Sequence, residues 1–413
     1  MSRLERLSVI GLGYIGLPTS AVFADHGVDV FGVDVDPVVV ESVNAGKPHI
    51  TEPDLDVLLR RVVERGKLRA SVEPQAADAF ILAVPTPFRD DHQPDLTYIK
   101  AACDMIAPVL QADNLVILES TSPVGTTELV SAWLADRRPD LSFPHQNGEL
   151  SNIRIAHCPE RVLPGRILHE VINNTRIIGG ITRKCAQSAM ALYKIFVKGE
   201  CHLTTARTAE LAKLTENSYR DVNIAFANEL SIICENLGVD VWDLIRLANL
   251  HPRVNILRPG PGVGGHCIAV DPWFIVAADP QNARLIRTAR EVNNSKPHFI
   301  VEKVKSHAAK LKAPIIACMG LSYKPDIDDL RESPAVEIVE ALAKGNVGEL
   351  LVVEPHINQL PPHLAKLGLT LSDFEVAVER ADILLLLVDH RAFLRIDRAL
   401  FRDKIVIDTR GAW

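Results

Sequence analysis

Three stretches of this 413-residue chain carry residues whose types and spacing suit chemistry. The first is VIGLGYIG, where Gly11, Gly13 and Gly16 stand in GxGxxG spacing between an apolar β-like run and a helical one. In that context each glycine has its own use. Gly11 permits a tight turn, Gly13 lets a pyrophosphate approach the backbone, and Gly16 lets helix and strand touch. The next β-like run ends at Asp34, 18 residues beyond Gly16. A carboxylate there accepts hydrogen bonds from a ribose 2′-hydroxyl and repels a 2′-phosphate, which favours NAD over NADP. AVPTPF and ESTSPVGTT follow two further β-like runs, and ligands of a doubly wound sheet lie beyond the carboxyl ends of its strands. Thr86, Thr121 and Thr127 are therefore placed either to touch cofactor and hold a water or to serve as ordinary turn residues.

The second stretch is ELAKLTENSYRDVN. Lys213, Asn217 and Arg220 fall at i, i+4 and i+7 and share one helix face. A cation, an amide and a guanidinium in a row suit an anionic, oxygen-rich ligand, and Lys213 with Asn217 suits a developing alkoxide. The plainer alternative is a solvated face paired with Glu210 and Glu216. The third stretch, GPGVGGHCIAVDPWF, surrounds Cys267 with glycines and follows it with Asp271. Gly262, Gly264 and Gly265 offer no bulk, so a substrate carbon can reach the sulfur. A nucleophilic cysteine needs exposure and nearby positive charge, which Lys213 is able to supply. Asp271 suits a held water or a proton shuttle; otherwise the glycines mark only a strained turn. Joined to NAD, such a thiol fits oxidation by four electrons: alcohol to aldehyde, thiohemiacetal to thioester, then hydrolysis to carboxylate. A two-electron β-hydroxyacid-type dehydrogenase needs no sulfur.

These residues require elements to hold them. The β-like runs LSVIGLG, VDVFGVD, AFILAVP, LVILEST, IRIAHCP and TRIIGG alternate with helical stretches, the pattern of a parallel sheet covered on both faces. From about 204 to 250 the chain reads as helix, without proline and with a stop at Gly238. A Pro/Gly-rich loop follows, then a second helical stretch over roughly 282–311. PIIACMG, ELLVVEP, DILLLLVD and KIVIDT restore the strand alternation. GLSY at 320–323 echoes GLGY at 11–14, and ADILLLLVD echoes ADAFILAVP. The expected fold class is α/β, with two Rossmann-like doubly wound domains joined by a central helical domain with a long helix. The expected domains are 1–200 for NAD, 201–311 for the helical region with the cysteine loop, and 312–413 for the second αβ domain. A net charge of -7 speaks against nucleic acid or an anionic membrane as partner. The N-terminal run has no apolar leader core, and the longest apolar run, ILLLLV, is too short to span a bilayer. Seven cysteines without a CxxC fit a reducing cytoplasm and argue against a metal cluster.

Taken in order, VIGLGYIGLP, AVPTPF, LESTSPVGTTE, CPERVLPG, AELAKLTENSYRDVNIAFANEL, NLHPRVNILRPGPGVGGHCIAVDPWF and GLSYKPDIDDLRESPA resemble the UDP-glucose/GDP-mannose dehydrogenases from end to end. The resemblance implies a UDP-sugar as substrate, NAD as cofactor, a UDP-binding C-terminal domain and a homodimer formed through the long helix. It also implies roles. Cys267 is the nucleophile, Lys213 the general acid/base and oxyanion partner, and Asn217 its neighbour. Tyr14, Ile15, Asp34, Thr86 and Thr127 touch NAD, and Arg331 approaches it. Arg161 and Val162 line the sugar pocket, while Arg220, His251, Arg253 and Gly264 contact the sugar nucleotide, with Tyr323 and Lys324 also on substrate. One departure matters. The UDP-glucose branch carries a second acid four residues after Glu160, where this chain has Pro164. Glu160 and Thr121, with Asp271, are left to position the hydrolytic water. The PERVLPG form resembles the branch that handles 2-acetamido sugars.

Overall fold

The computed structural model describes residues 4–89, 92–163, 165–265 and 267–413. Its contacts divide the chain into two units, Met1–Thr215 and Glu216–Trp413.

The first unit is built on an eight-stranded sheet: β1 (Arg6–Ile10), β2 (Asp29–Val33), β3 (Leu68–Ser71), β4 (Ala79–Leu82), β5 (Leu115–Leu118), β6 (Arg154–His157), β7 (Arg176–Gly180) and β8 (Cys201–Thr205). Their order is β3-β2-β1-β4-β5-β6-β7-β8, so the chain reverses direction across the sheet between β1 and β4. The short apolar runs become strands because both faces are covered. Along β4 and β5, Ala79, Ile81, Leu115 and Ile117 enter one core, while Phe80, Leu82, Val116 and Leu118 enter the other. Alternation by two thus feeds two hydrophobic layers from one continuous apolar run. The sheet is not wholly parallel: β7 pairs antiparallel with β6, and β8 then runs parallel to β7. β3 and β8, which carry fewer apolar residues, form its two edges.

A helix over Ala206–Leu237 starts directly after β8 and crosses the division between the units. It runs unbroken for 32 residues because no proline removes a backbone donor. It ends at Gly238, whose φ of +67° closes the turn. The second unit continues with helices Val241–Ala248, Asp271–Ala278 and Arg284–Ala308. Its sheet contains β9 (Ile315–Met319), β10 (Glu349–Val353), β11 (Ile383–Leu386) and β12 (Ile405–Asp408), ordered β10-β9-β11-β12 and all parallel. Here too the strands divide by alternation: Ile316, Cys318, Ile383 and Leu385 pack on one side, and Ala317, Met319, Leu384 and Leu386 on the other.

Candidate active site

In the first unit the glycine loop has the geometry a dinucleotide needs. Gly11 has φ +92° and donates to Val33 O at 2.8 Å. A methyl group at Gly11 would strike the Ala83 carbonyl, so only glycine fits. Leu12 N donates to Asp34 Oδ2 at 2.9 Å, and Asp36 N reaches Oδ1 at 3.1 Å. The carboxylate is thereby fixed at the end of β2 with lone pairs to spare. Space beside Gly13 is open. Ile15 precedes the helix Gly16–Asp25, and Tyr14 is exposed. The loop, the helix start and the carboxylate fit an NAD cradle, with Gly11, Gly13, Tyr14, Ile15, Gly16 and Asp34 as the residues to hold it.

Hydroxyls join the strand-end loops. Thr86 Oγ1 donates to Thr121 O at 2.5 Å, and Ser120 Oγ donates to Val84 O at 2.7 Å. Thr127 is fully buried. Its N–H and hydroxyl both donate to Glu210 Oε1, at 2.7 and 2.5 Å, while Gly125 N donates to Oε2 at 2.6 Å. Glu210 therefore caps the helix Thr126–Arg137 and is not a surface partner of Lys213. Its carboxyl lies above the ordinary range because burial outweighs those three hydrogen bonds.

Glu160 follows β6. Its Oε1 accepts from Arg161 N at 2.7 Å and its Oε2 from Arg176 Nη2 at 2.9 Å. The Arg161 guanidinium donates to Thr175 O at 3.2 Å, and Val162 packs against the core. Pro164 lies outside the described residues. The loop is closed by Glu52, a buried acid whose oxygens accept from Gly165 N and Ile167 N, each at 2.7 Å. The sequence gives little sign of Glu52, Glu119 or Arg176, because a single charge in a strand or turn reads as surface.

In the second unit Cys267 is the one exposed cysteine among the described residues; the other six are buried or half-buried. Burial pushes the thiols of Cys158 and Cys318 up to about 12, which leaves them unreactive. The Cys267 carbonyl accepts from Val270 N and Asp271 N, at 3.1 and 2.8 Å, so the loop runs straight into the helix Asp271–Ala278. Asp271 is buried, and its Oδ2 accepts from Asn217 Nδ2 at 2.5 Å. That bond ties the loop to the long helix, on which half-buried Lys213 stands one turn earlier. The start of the loop is fixed as well. Gly260 N donates to Asn228 Oδ1 at 2.9 Å, Asn228 Nδ2 donates to Asn293 Oδ1 at 2.9 Å, and Asn293 and Arg290 both donate to Asp221. Gly264 and Gly265 lie so close to Tyr323 that a side chain at either would strike it, and Gly265 N donates to Arg331 O at 3.2 Å. The glycines thus serve packing as well as access. Arg331 is exposed and paired with Asp329 at 2.6 Å. Lys324 is half-buried, its carbonyl accepting from Ser322 Oγ at 2.7 Å. Arg220, His251 and Arg253 are exposed.

Family models match the chain along most of its length: the NAD binding domain of the UDP-glucose/GDP-mannose dehydrogenase family over residues 5–197, the central domain over 207–295 and the UDP binding domain over 317–413. An NDP-N-acetyl-D-galactosaminuronic acid dehydrogenase of Ralstonia nicotianae is 61% identical over 98% of this chain and 96% of its own. A UDP-N-acetyl-D-mannosamine dehydrogenase of Yersinia pestis is 58% identical over 99% of each. Among solved structures, a UDP-D-ManNAc dehydrogenase of Pyrococcus horikoshii superposes with a TM-score of 0.88 at 40% identity, over 99% of this chain and 96% of its own.

Proposed function

The chain belongs to the UDP-glucose/GDP-mannose dehydrogenase family of NAD-dependent oxidoreductases, and on that premise we propose that it oxidises C6 of UDP-N-acetyl-D-mannosamine to the carboxylate. The product, UDP-N-acetyl-D-mannosaminuronate, suits assembly of a surface polysaccharide of the enterobacterial common antigen type. NAD, when bound, takes up the hydride of each of the two oxidations. The residues do the rest. Lys213 takes the hydroxyl proton, and Lys213 with Asn217 stabilises the negative oxygen. The Cys267 thiolate adds to the aldehyde carbon and later carries the acyl group as a thioester. Glu160, with Thr121 and Asp271, positions the water that releases it. Arg161, Val162, Arg220, His251, Arg253, Gly264, Tyr323 and Lys324 hold the sugar nucleotide, and Thr86, Thr127 and Arg331 complete the cofactor's surroundings.

The observation that carries this reading is an exposed Cys267 whose loop is locked to Asn217 through Asp271. A Cys267→Ser variant mixed rapidly with UDP-N-acetyl-D-mannosamine and NAD is expected to form no acid and to lose the second NADH per sugar. Two NADH per sugar at the normal rate would remove the covalent route. The high identity to the Ralstonia protein, named for an N-acetylgalactosaminuronic acid, supports a second reading in which the sugar differs in configuration. Turnover of UDP-linked ManNAc, GalNAc, GlcNAc and glucose, followed by NADH and acid product, decides between them.

The long helix also supports a homodimer. Tyr219, Phe226, Ile233 and Leu237 are exposed on it, and spacings of seven, seven and four place them on one stripe.

A further inference from the structure

Behind Glu160 lies a row of buried charge to which the chemistry above gives no part. Arg176 on β7 is 4% exposed. It donates from Nη2 to Glu160 at 2.9 Å, and its Nη1 lies 3.7 Å from Glu119 Oε1. Glu119 directly follows β5 and is buried; it accepts from the Tyr193 hydroxyl at 2.9 Å. The guanidinium lies 4.5 Å from the centre of the Tyr193 ring. A buried ion pair seldom adds stability over apolar packing of the same volume. What it does supply is a fixed charge in a fixed place.

We propose that Arg176 is a positioning residue for acyl-enzyme hydrolysis, holding the Glu160 carboxylate in one orientation; this rests on the reading of Glu160 and Cys267 given above. With Arg176 on Oε2 and Arg161 N–H on Oε1, both oxygens are gripped and each keeps a lone pair for water. Glu119 faces the same guanidinium, and burial together with the charge of Glu160 pushes its carboxyl up to about 8. Near neutral pH it keeps its proton, so the Arg176 charge is left to Glu160. The other titratable neighbours stay protonated there: burial pushes Cys158 up to about 12 and Tyr193 well above its usual value.

In the step concerned, the water oxygen bonds to the acyl carbon and its proton passes to Glu160. The C–S bond breaks with its electron pair on Cys267 Sγ, and nothing is oxidised or reduced. Full-length enzyme with UDP-N-acetyl-D-mannosamine and NAD is quenched and weighed by mass spectrometry for acyl adduct on Cys267. Arg176→Lys keeps the charge and loses the fork. It is expected to give a rapid burst of NADH, a steady rate about tenfold to a hundredfold slower, an accumulating adduct and an unchanged KM. Glu160→Gln is expected to trap the same adduct. Arg176→Lys slowed equally in burst and steady state, without adduct, reduces Arg176 to a structural role and overturns the proposal. Glu160→Gln without adduct overturns the underlying reading of Glu160 instead. Glu119→Gln keeps the Tyr193 bond and removes the competing carboxylate, so it is expected to abolish the fall in hydrolysis rate above about pH 8 caused by ionised Glu119. An unchanged alkaline limb in that variant also overturns the proposal.

Discussion

Glu119 stores a proton that an exposed carboxylate would have released. Its folded value of about 8 stands against an ordinary 4.5. Below 4.5 folded and unfolded chains both hold the proton, so the group contributes nothing. Between 4.5 and about 8 the folded chain alone holds it, and folding is favoured progressively less as pH rises. Above that the full cost remains. The slope expected from this one group is about 1 kcal/mol per pH unit. Urea unfolding from about pH 5 to pH 8 should therefore show the midpoint falling more steeply in the wild type than in Glu119→Gln; parallel curves refute the assignment. At this scale the sequence was informative where residue type alone implies chemistry. Cys267 among glycines, Lys213 and Asn217 one turn apart, and Asp34 after a strand were all visible. Arg176 in TRIIGG and Glu119 in LEST were not, because burial and partners decide what a charge does, and neither is local to the sequence.

Among the elements, the helix Thr126–Arg137 depends on a carboxylate from a distant segment. Glu210 takes two backbone N–H groups and one hydroxyl at its start. Glu210→Ala leaves those donors buried and unmet, with an expected loss of about 2–4 kcal/mol and a raised KM for NAD, since Thr127 loses its anchor. Glu210→Gln should recover part of both. Thermal unfolding and NAD titration read this, and an unchanged melting point in Glu210→Ala counts against the cap. The exposed stripe on the long helix makes a separate prediction. Phe226→Glu sets a charge amid that stripe and is expected to cost a dimer about 2 kcal/mol or more, about a thirtyfold rise in its dissociation constant. Light scattering across a dilution series detects it, and a wild type that stays monomeric at high concentration removes the dimer. The long helix was legible because neither proline nor a mid-helix glycine interrupts it. β3 and β8 were not, because edge strands such as LRAS and CHLTT carry polar residues and lack the apolar run that marks an interior strand. Nor does any local residue pattern mark the reversed direction of β7.

Across the whole molecule, one turn is used twice. Gly11 N donates to Val33 O and Gly320 N donates to Val353 O, each at 2.8 Å, with φ of +92° and +93°. Leu12 N donates to Asp34 at 2.9 Å, and Leu321 N donates to Glu354 at 2.7 Å. The echo of GLGY in GLSY is therefore a repeated strand–turn–carboxylate device. The copies differ in what the carboxylate has left to offer. Glu354 also accepts from Ser322 N, His356 N and His390 Nε2, at 3.1, 3.0 and 3.0 Å. Although burial raises it, those bonds hold its carboxyl below the ordinary range. His390 in turn accepts Asp326 N–H on Nδ1 at 2.9 Å, so both its ring nitrogens serve the network. The second copy is closed where the first is open. Gly11→Ala and Gly320→Ala should then part company. Both force a left-handed residue and a clash, with Ala83 O and Val388 respectively, and both should lose about 1–2 kcal/mol or more of stability. Only Gly11→Ala should also raise the KM for NAD, because the Asp34 carboxylate is half-exposed with lone pairs left for a ribose while Glu354 is buried. A comparable rise in Gly320→Ala, measured at saturating sugar nucleotide and below the melting transition, would mean that the second turn still takes part in cofactor binding.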